Sequence, residues 1–277
     1  MMTLHSGHNG KGYVMIAQFI QDAGRRLYRR SVRFVAPLED NVRSLLLGWT
    51  IVVAGACIFR MAFPVTPAAG LSSTLILLVP HLLILTSPFF GYWTANHLFP
   101  RGVAFAQPEI RLARVGSWHP LNLLAVRGHA SFGPVGMMAS LLLGMLLNVP
   151  IRTAEFMAAV PAMTGDAPAW GQMIYFGMAS DLVIMNFLYT LCFFMALRGV
   201  PFFPRMLLLT WGLDVVSQIL IAHYVGGAPL LPPEVAASIA PLLESNLKKV
   251  LISVAIWLPY LLLSERVNVT YRWRQSA

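Results

Sequence analysis

Apolar residues fall into six long blocks, at about 44–63, 71–93, 132–151, 171–197, 206–225 and 247–263. Each approaches the ~20 residues that a helix needs to cross roughly 30 Å of hydrocarbon. The pattern predicts an all-α, polytopic membrane protein with about six transmembrane helices. Residues 13–35 are too polar to span, yet Tyr13, Ile16, Ala17, Ile20, Leu27, Tyr28 and Phe34 recur at helical spacing on one face. Arg25, Arg26, Arg29, Arg30 and Arg33 lie opposite. That segment reads as an N-terminal amphipathic interfacial helix, its apolar side among acyl chains and its arginines on anionic headgroups. Met15, Phe19 and Gly24 interrupt the stripe, and the alternative is a helix packed on the protein's own loops.

These blocks divide the chain into a basic tail (1–43), a transmembrane hairpin (44–93), a loop (94–131) and a four-span domain (132–277). Pro100, Pro108 and Pro120 make one continuous helix through the loop unfavourable. Residues 226–245, with Pro229, Pro232, Pro233 and Pro241, read as the longest loop on the opposite side, with Glu234 and Glu244 solvated.

Composition sharpens the class. Only 11% of the 277 residues are charged and 57% are hydrophobic, against about 25% charged in soluble domains, and the mean hydropathy is +0.66. Too little charge remains to cover a soluble surface. Lys and Arg number 20 against 11 acids, a net charge of +9, and this excess is expected to face anionic lipid rather than nucleic acid.

Seven of the cations lie in the N-terminal tail, including Lys11 and Arg43, and four in the loop, at Arg101, Arg111, Arg114 and Arg127. Arg198 and Arg205 separate spans four and five, and Arg266, Arg272 and Arg274 close the chain. Arg152 and the span-edge residues Arg60, Lys248 and Lys249 fall on the other side. By the positive-inside rule, both termini and the loop are cytoplasmic. The N-terminus has no signal-peptide core and is expected to stay in the mature protein. Cys57 and Cys192 sit in apolar runs and read as packing residues.

Intramembrane polar groups are the candidate functional residues, because each is costly in hydrocarbon. Asp181 and Asp214 are the clearest, with His81 and Asn186 beside them, and Thr210, Ser217 and Gln218 extend a polar stripe around Asp214. Measured from the cytoplasmic ends of their spans, Asp214 lies about 13 Å deep and Asp181 about 24 Å. On that count the two acids do not touch, and Asn186 is the better-levelled partner for Asp214. His81, after Pro80, is placed to satisfy a carbonyl freed by the kink or to meet one of the acids. Gly136, Ser140 and Gly144 form a small-residue stripe expected to pack on another helix of the same chain.

Zinc-protease, nucleophile-elbow, Walker and dinucleotide motifs are all missing, and no metal or cofactor is expected. His97, His119 and His129 share the loop with its arginines, and a headgroup-contacting role outweighs acid-base chemistry there.

The stretch Asn186 to Arg205, with Trp257-Leu258-Pro259-Tyr260 and Ser264-Glu265-Arg266-Val267, resembles the bacterial inner-membrane family known as domain of unknown function 2569. The resemblance covers about residues 130–277, and Glu265 stands where the family usually has a basic residue. It implies a four-span unit in a bacterial inner membrane and transfers no activity. The closing motif reads as a topological anchor, with Arg266, Arg272 and Arg274 pinning the cytoplasmic end. The leading expectation is a non-catalytic accessory or assembly subunit of a membrane complex. The alternatives are a small proton-coupled transporter using Asp181 and Asp214, and a lipid-modifying enzyme using the histidine-arginine loop.

Overall fold

The computed structural model describes residues 22, 24–67, 70–110 and 116–277. It is all-α apart from one short strand pair, and six of its helices are long and apolar enough to cross a membrane. Helix α1 (24–35) precedes the first of them. The six are α2 (Val42–Ala62), α3 (Leu71–Leu98), α5 (Met137–Ala159), α6 (Ala169–Leu197), α7 (Phe203–Gly226) and α8 (Pro233–Leu263). Between α3 and α5 lie strand β1 (Trp118–Pro120) and helix α4 (Leu123–Gly128), and after α8 come α9 (Glu265–Arg272) and β2 (Arg274–Ser276).

Helix α6 is the axis of the bundle. It packs against α3, α5 and α7, while α8 packs on α7, and α2 on α3 and α5. In α6, 67% of the spanning window is buried, against 11% in α2 and in α8. The outer two helices therefore turn most of their apolar surface outward, as a hydrocarbon solvent permits. Where α3 crosses α6, the approach is so close that a Cβ on Gly91 would lie 2.8 Å from the Phe187 carbonyl oxygen and 2.9 Å from Thr190 Cβ.

Three helices outrun the apolar blocks that announced them. Helix α3 continues to Leu98, α5 runs through Pro150 to Ala159, and α8 begins at Pro233. The expected loop 226–245 is therefore mostly helical, with Glu234 in the first turn of α8 and Pro241 inside it. Extra polar turns cost little at a helix end that reaches past the hydrocarbon, so the span and the helix need not coincide. Arg152, read from sequence as a loop residue, lies inside α5.

At one end of the bundle, α1, residues 99–110 and 116–136, the α6–α7 turn and the chain end form a layer over the helices. Glu39 accepts from Arg198 Nε at 2.8 Å and pairs with Arg101 at 3.3 Å. Arg198 also donates to the carbonyls of Ala95 and Phe99, both at 2.9 Å, closing the end of α3 onto α6. The Gly136 amide donates to Ser31 Oγ at 2.7 Å, which fastens α1 to the start of α5. The five α1 arginines remain exposed, while Ser31, Val35 and Leu38 are buried. Tyr13, Ile16, Ala17 and Ile20 of the expected amphipathic face lie outside the described residues.

Strand β2 pairs antiparallel with β1, bringing Trp118 opposite Ser276 and Pro120 opposite Arg274. Helix α9 is set into the bundle rather than laid on it: Val267, Asn268, Val269 and Tyr271 are fully buried, and Tyr271 donates to the Ala196 carbonyl at 2.7 Å. The expected anchor arginines divide accordingly. Arg266 lies over the Tyr28 ring at 5.7 Å, but Arg272 and Arg274 are 4% and 6% exposed and do not reach outward to headgroups.

The small-residue stripe does not do what its spacing implied. Gly136 caps α5 with φ +67°, Ser140 and Gly144 are exposed, and a Cβ on Gly144 would meet no atom within 4 Å. Among the described residues no helix packs closely on it: Gly144 borders the crevice between α5 and α8, and Met138, Leu142, Met145 and Val149 are the buried flank of α5.

Candidate functional site: a buried arginine between two aspartates

Where the two hydrophobic clusters of the bundle meet, three helices each contribute one charge. Arg152 of α5 follows Val149 of one cluster and precedes Phe156 of the other. Its Nη1 donates to Asp214 Oδ2 at 2.8 Å and its Nη2 to Asp214 Oδ1 at 2.9 Å, a two-pronged grip on α7. Nη2 also donates to Asp181 Oδ2 of α6 at 2.6 Å. The side chains of Arg152, Asp181 and Asp214 are 10%, 8% and 0% exposed.

Neighbours satisfy most of the remaining acceptor positions. Tyr189 donates to Asp214 Oδ2 at 2.9 Å, Gln218 donates to Asp181 Oδ2 at 3.0 Å, and Ser217 donates to Asp181 Oδ1. The three charges sum to −1, so Arg152 neutralises one carboxylate and its hydrogen bonds divide between both. In low dielectric such a cluster is stable only with this degree of pairing.

The depth count from sequence is overturned here: the two acids are level. Asp181 lies twelve residues after Ala169, and Asp214 lies twelve before Gly226. Because α6 and α7 are antiparallel, those two ends face the same side, and both acids lie about 18 Å from it. Counting from the other end misleads, because α6 has 29 residues against 24 in α7 and overhangs there.

Asn186 is not the partner of Asp214. It donates to Thr153 Oγ1 at 2.9 Å, and its own Oδ1 is buried without a hydrogen bond, as is Gln218 Oε1. Thr210 bonds the Met206 carbonyl at 2.8 Å and lies 3.4 Å from Cys192 Sγ. The stripe expected around Asp214 does face a neighbouring helix, but Ser217 and Gln218 serve Asp181 on it.

His81 stands apart from the acids. Its Nδ1 lies 2.8 Å from the Leu77 carbonyl oxygen and 3.0 Å from the Tyr175 hydroxyl. The carbonyl it meets belongs to Leu77, whereas Pro80 frees that of Ile76. Cys57 donates weakly to the His81 carbonyl at 3.8 Å. Arg60, expected to snorkel, donates to the Ala158 carbonyl at 2.9 Å and so caps the end of α5.

The cluster is not sealed on every side. A crevice of about 120 Å³ runs between α5 and α8, with Arg152 and Tyr189 at its floor and Asn148, Asn246, Lys249 and Ser253 on its walls. Lys249 pairs with Glu155 at its rim. A second, larger cavity of about 790 Å³ opens between α2 and α5 and is lined almost wholly by apolar side chains.

The three loop histidines have separate neighbours: His97 stacks on Trp93 at 5.6 Å, His119 pairs with Gln275 in the strand ladder, and His129 lies 4.0 Å from Glu265. Among the described residues no group of three or more His, Cys, Asp or Glu could hold a metal ion.

Sequence reading missed Arg152 because the apolar block ends at Ile151, and a lone arginine there looks like a loop residue. One signal was available. Two intramembrane acids with no cation in their own spans require a cation from elsewhere, and Arg152 directly follows the apolar block that precedes Asp181. No family model, curated protein or solved structure matches this chain.

Proposed function

We propose that this chain is a non-catalytic integral membrane protein that serves as an accessory or assembly subunit, seating one transmembrane helix of a partner between α2 and α5. The observation that carries this reading is the large apolar groove along that seam. Gly48, Val52 and Ala56 of α2 line it at four-residue spacing, with Ala154 and Pro150 opposite. Small residues let a second helix approach closely, and in lipid that packing is the main source of helix association. A single acyl chain would gain little from such a floor, since lipid already solvates it.

The same reading has the bundle end with α1, α4 and α9 in the cytoplasm of a bacterial inner membrane, with the exposed α1 arginines on anionic headgroups. The relation of residues 130–277 to the domain of unknown function 2569 family is proposed on the stretch Asn186 to Arg205 together with the closing motif. The test is extraction of native membranes in mild detergent, with a photo-crosslinker at Val52 and identification of what is captured. One stoichiometric membrane protein is expected, lost in Gly48→Leu at unchanged abundance. A stable monomer or homo-oligomer with no crosslinked partner would sink the reading.

A second reading, a small proton-coupled transporter, rests on the polar crevice that reaches Arg152 between α5 and α8. Two carboxylates sharing one guanidinium can exchange it as one of them takes a proton. Flux driven by a pH gradient in proteoliposomes, lost in both Asp181→Asn and Asp214→Asn, would support it. Equal flux in the variants would remove it.

A further inference from the structure

At the bundle end that carries the chain's close, Arg272 has two further arginines as neighbours. Arg205 comes from the first turn of α7, Arg272 from the last turn of α9 and Arg274 from β2. Asn268 Oδ1 is shared between two of them: Arg272 Nη1 donates to it at 3.0 Å and Arg274 Nε at 2.8 Å. Arg272 Nη1 also donates to the Leu261 carbonyl at 2.8 Å. The Arg274 guanidinium lies over the Trp118 ring at 4.9 Å.

Two of these guanidinium groups are unfinished. Arg272 is 4% exposed, and its Nη2 is buried with no acceptor among the described residues. Nη2 of Arg205 is buried without one as well. Among the described residues, no carboxylate forms an ion pair with Arg205 or Arg272. Burial, followed by the charges of Arg274 and Arg205, pushes the Arg272 guanidinium down to about 10.

The contrast with Arg152 is instructive. There a buried guanidinium meets two carboxylates, whereas here the Nη2 atoms of Arg205 and Arg272 meet no acceptor among the described residues. Retaining such donors unpaired is unfavourable, and an oxyanion with several acceptor oxygens is what their planar forks fit.

We propose that Arg205, Arg272 and Arg274 form a binding site for a phosphate-type oxyanion, entered past the half-buried Arg205. The bound group is a phosphate monoester or inorganic phosphate, held by the free Nη2 atoms of Arg205 and Arg272. The site is distinct from the seam groove and from the exposed α1 arginines.

The test uses the full chain, delipidated in a neutral detergent, with thermal unfolding as readout. In one arm inorganic phosphate is titrated. In the other, the protein is reconstituted into phosphatidylcholine vesicles with or without phosphatidic acid. A rise in the unfolding midpoint with inorganic phosphate identifies a soluble source, and a rise with phosphatidic acid alone identifies a lipid headgroup. Either supports the site if Arg205→Met weakens the response by at least about tenfold, and the comparison removes any contribution from α1. With no anion present, Arg205→Met should unfold at a higher temperature than the wild type, because it deletes an unpaired buried donor. No midpoint shift in either arm, an undiminished response in Arg205→Met, or a lower anion-free midpoint for that variant would overturn the proposal.

Discussion

Arg152 holds Asp214 through both terminal nitrogens, at 2.8 and 2.9 Å, although 62 residues and two helix turnarounds separate them in the chain. This contact, with the 2.6 Å bond to Asp181, joins α5, α6 and α7 at one level. Because the three charges are almost fully withdrawn from water, they depend on one another more than on solvent.

Arg152→Leu should therefore cost about 3–5 kcal/mol, because it strands two buried carboxylates. Denaturant unfolding in micelles would measure it. Adding Asp181→Asn and Asp214→Asn to the same protein should recover a large part of that loss. Equal stability of the single and triple variants would show that the cluster is not coupled.

Close approach of α3 and α6 gives a sharp glycine contrast. Gly91→Leu forces a side chain into the Phe187 backbone and should destabilise by about 1–3 kcal/mol or more, whereas Gly144→Ala, facing open space, should stay within about 0.5 kcal/mol of wild type or gain slightly. Thermal midpoints of the two purified variants decide this.

Glu39 ties α1's connection to the bundle through Arg198, whose side chain is 4% exposed. Glu39→Gln should cost about 1.5–3 kcal/mol by removing a charged acceptor. Limited proteolysis should then cut faster around residues 36–41. An unchanged cleavage rate would mean that the Ala95 and Phe99 carbonyls alone hold Arg198.

Tyr271→Phe deletes the donor to the Ala196 carbonyl while keeping the ring against Phe203 at 5.0 Å. A loss of about 1–3 kcal/mol is expected, since that carbonyl is left unpaired in the core. Hydrogen exchange should rise at the end of α6 and across α9 together, reporting that the two are docked as one unit.

The chain's linear pattern determined that six helices would be long and apolar enough to span a membrane, near which residues they would lie, and where the cations would gather. A helix in hydrocarbon must satisfy its backbone internally and present apolar side chains all round, so its signature is local and continuous. Tertiary packing decided the rest. Whether Asp181 meets Asp214 depends on the overhang of α6, the rotation of α7 and the extension of α5 past Pro150, none of which hydropathy encodes. Arg152 and Arg272 look alike in sequence, as single arginines near helix ends. One is buried between two acids and the other beside two more arginines, because helix docking sets a buried charge's partners, whereas hydropathy registers only the charge.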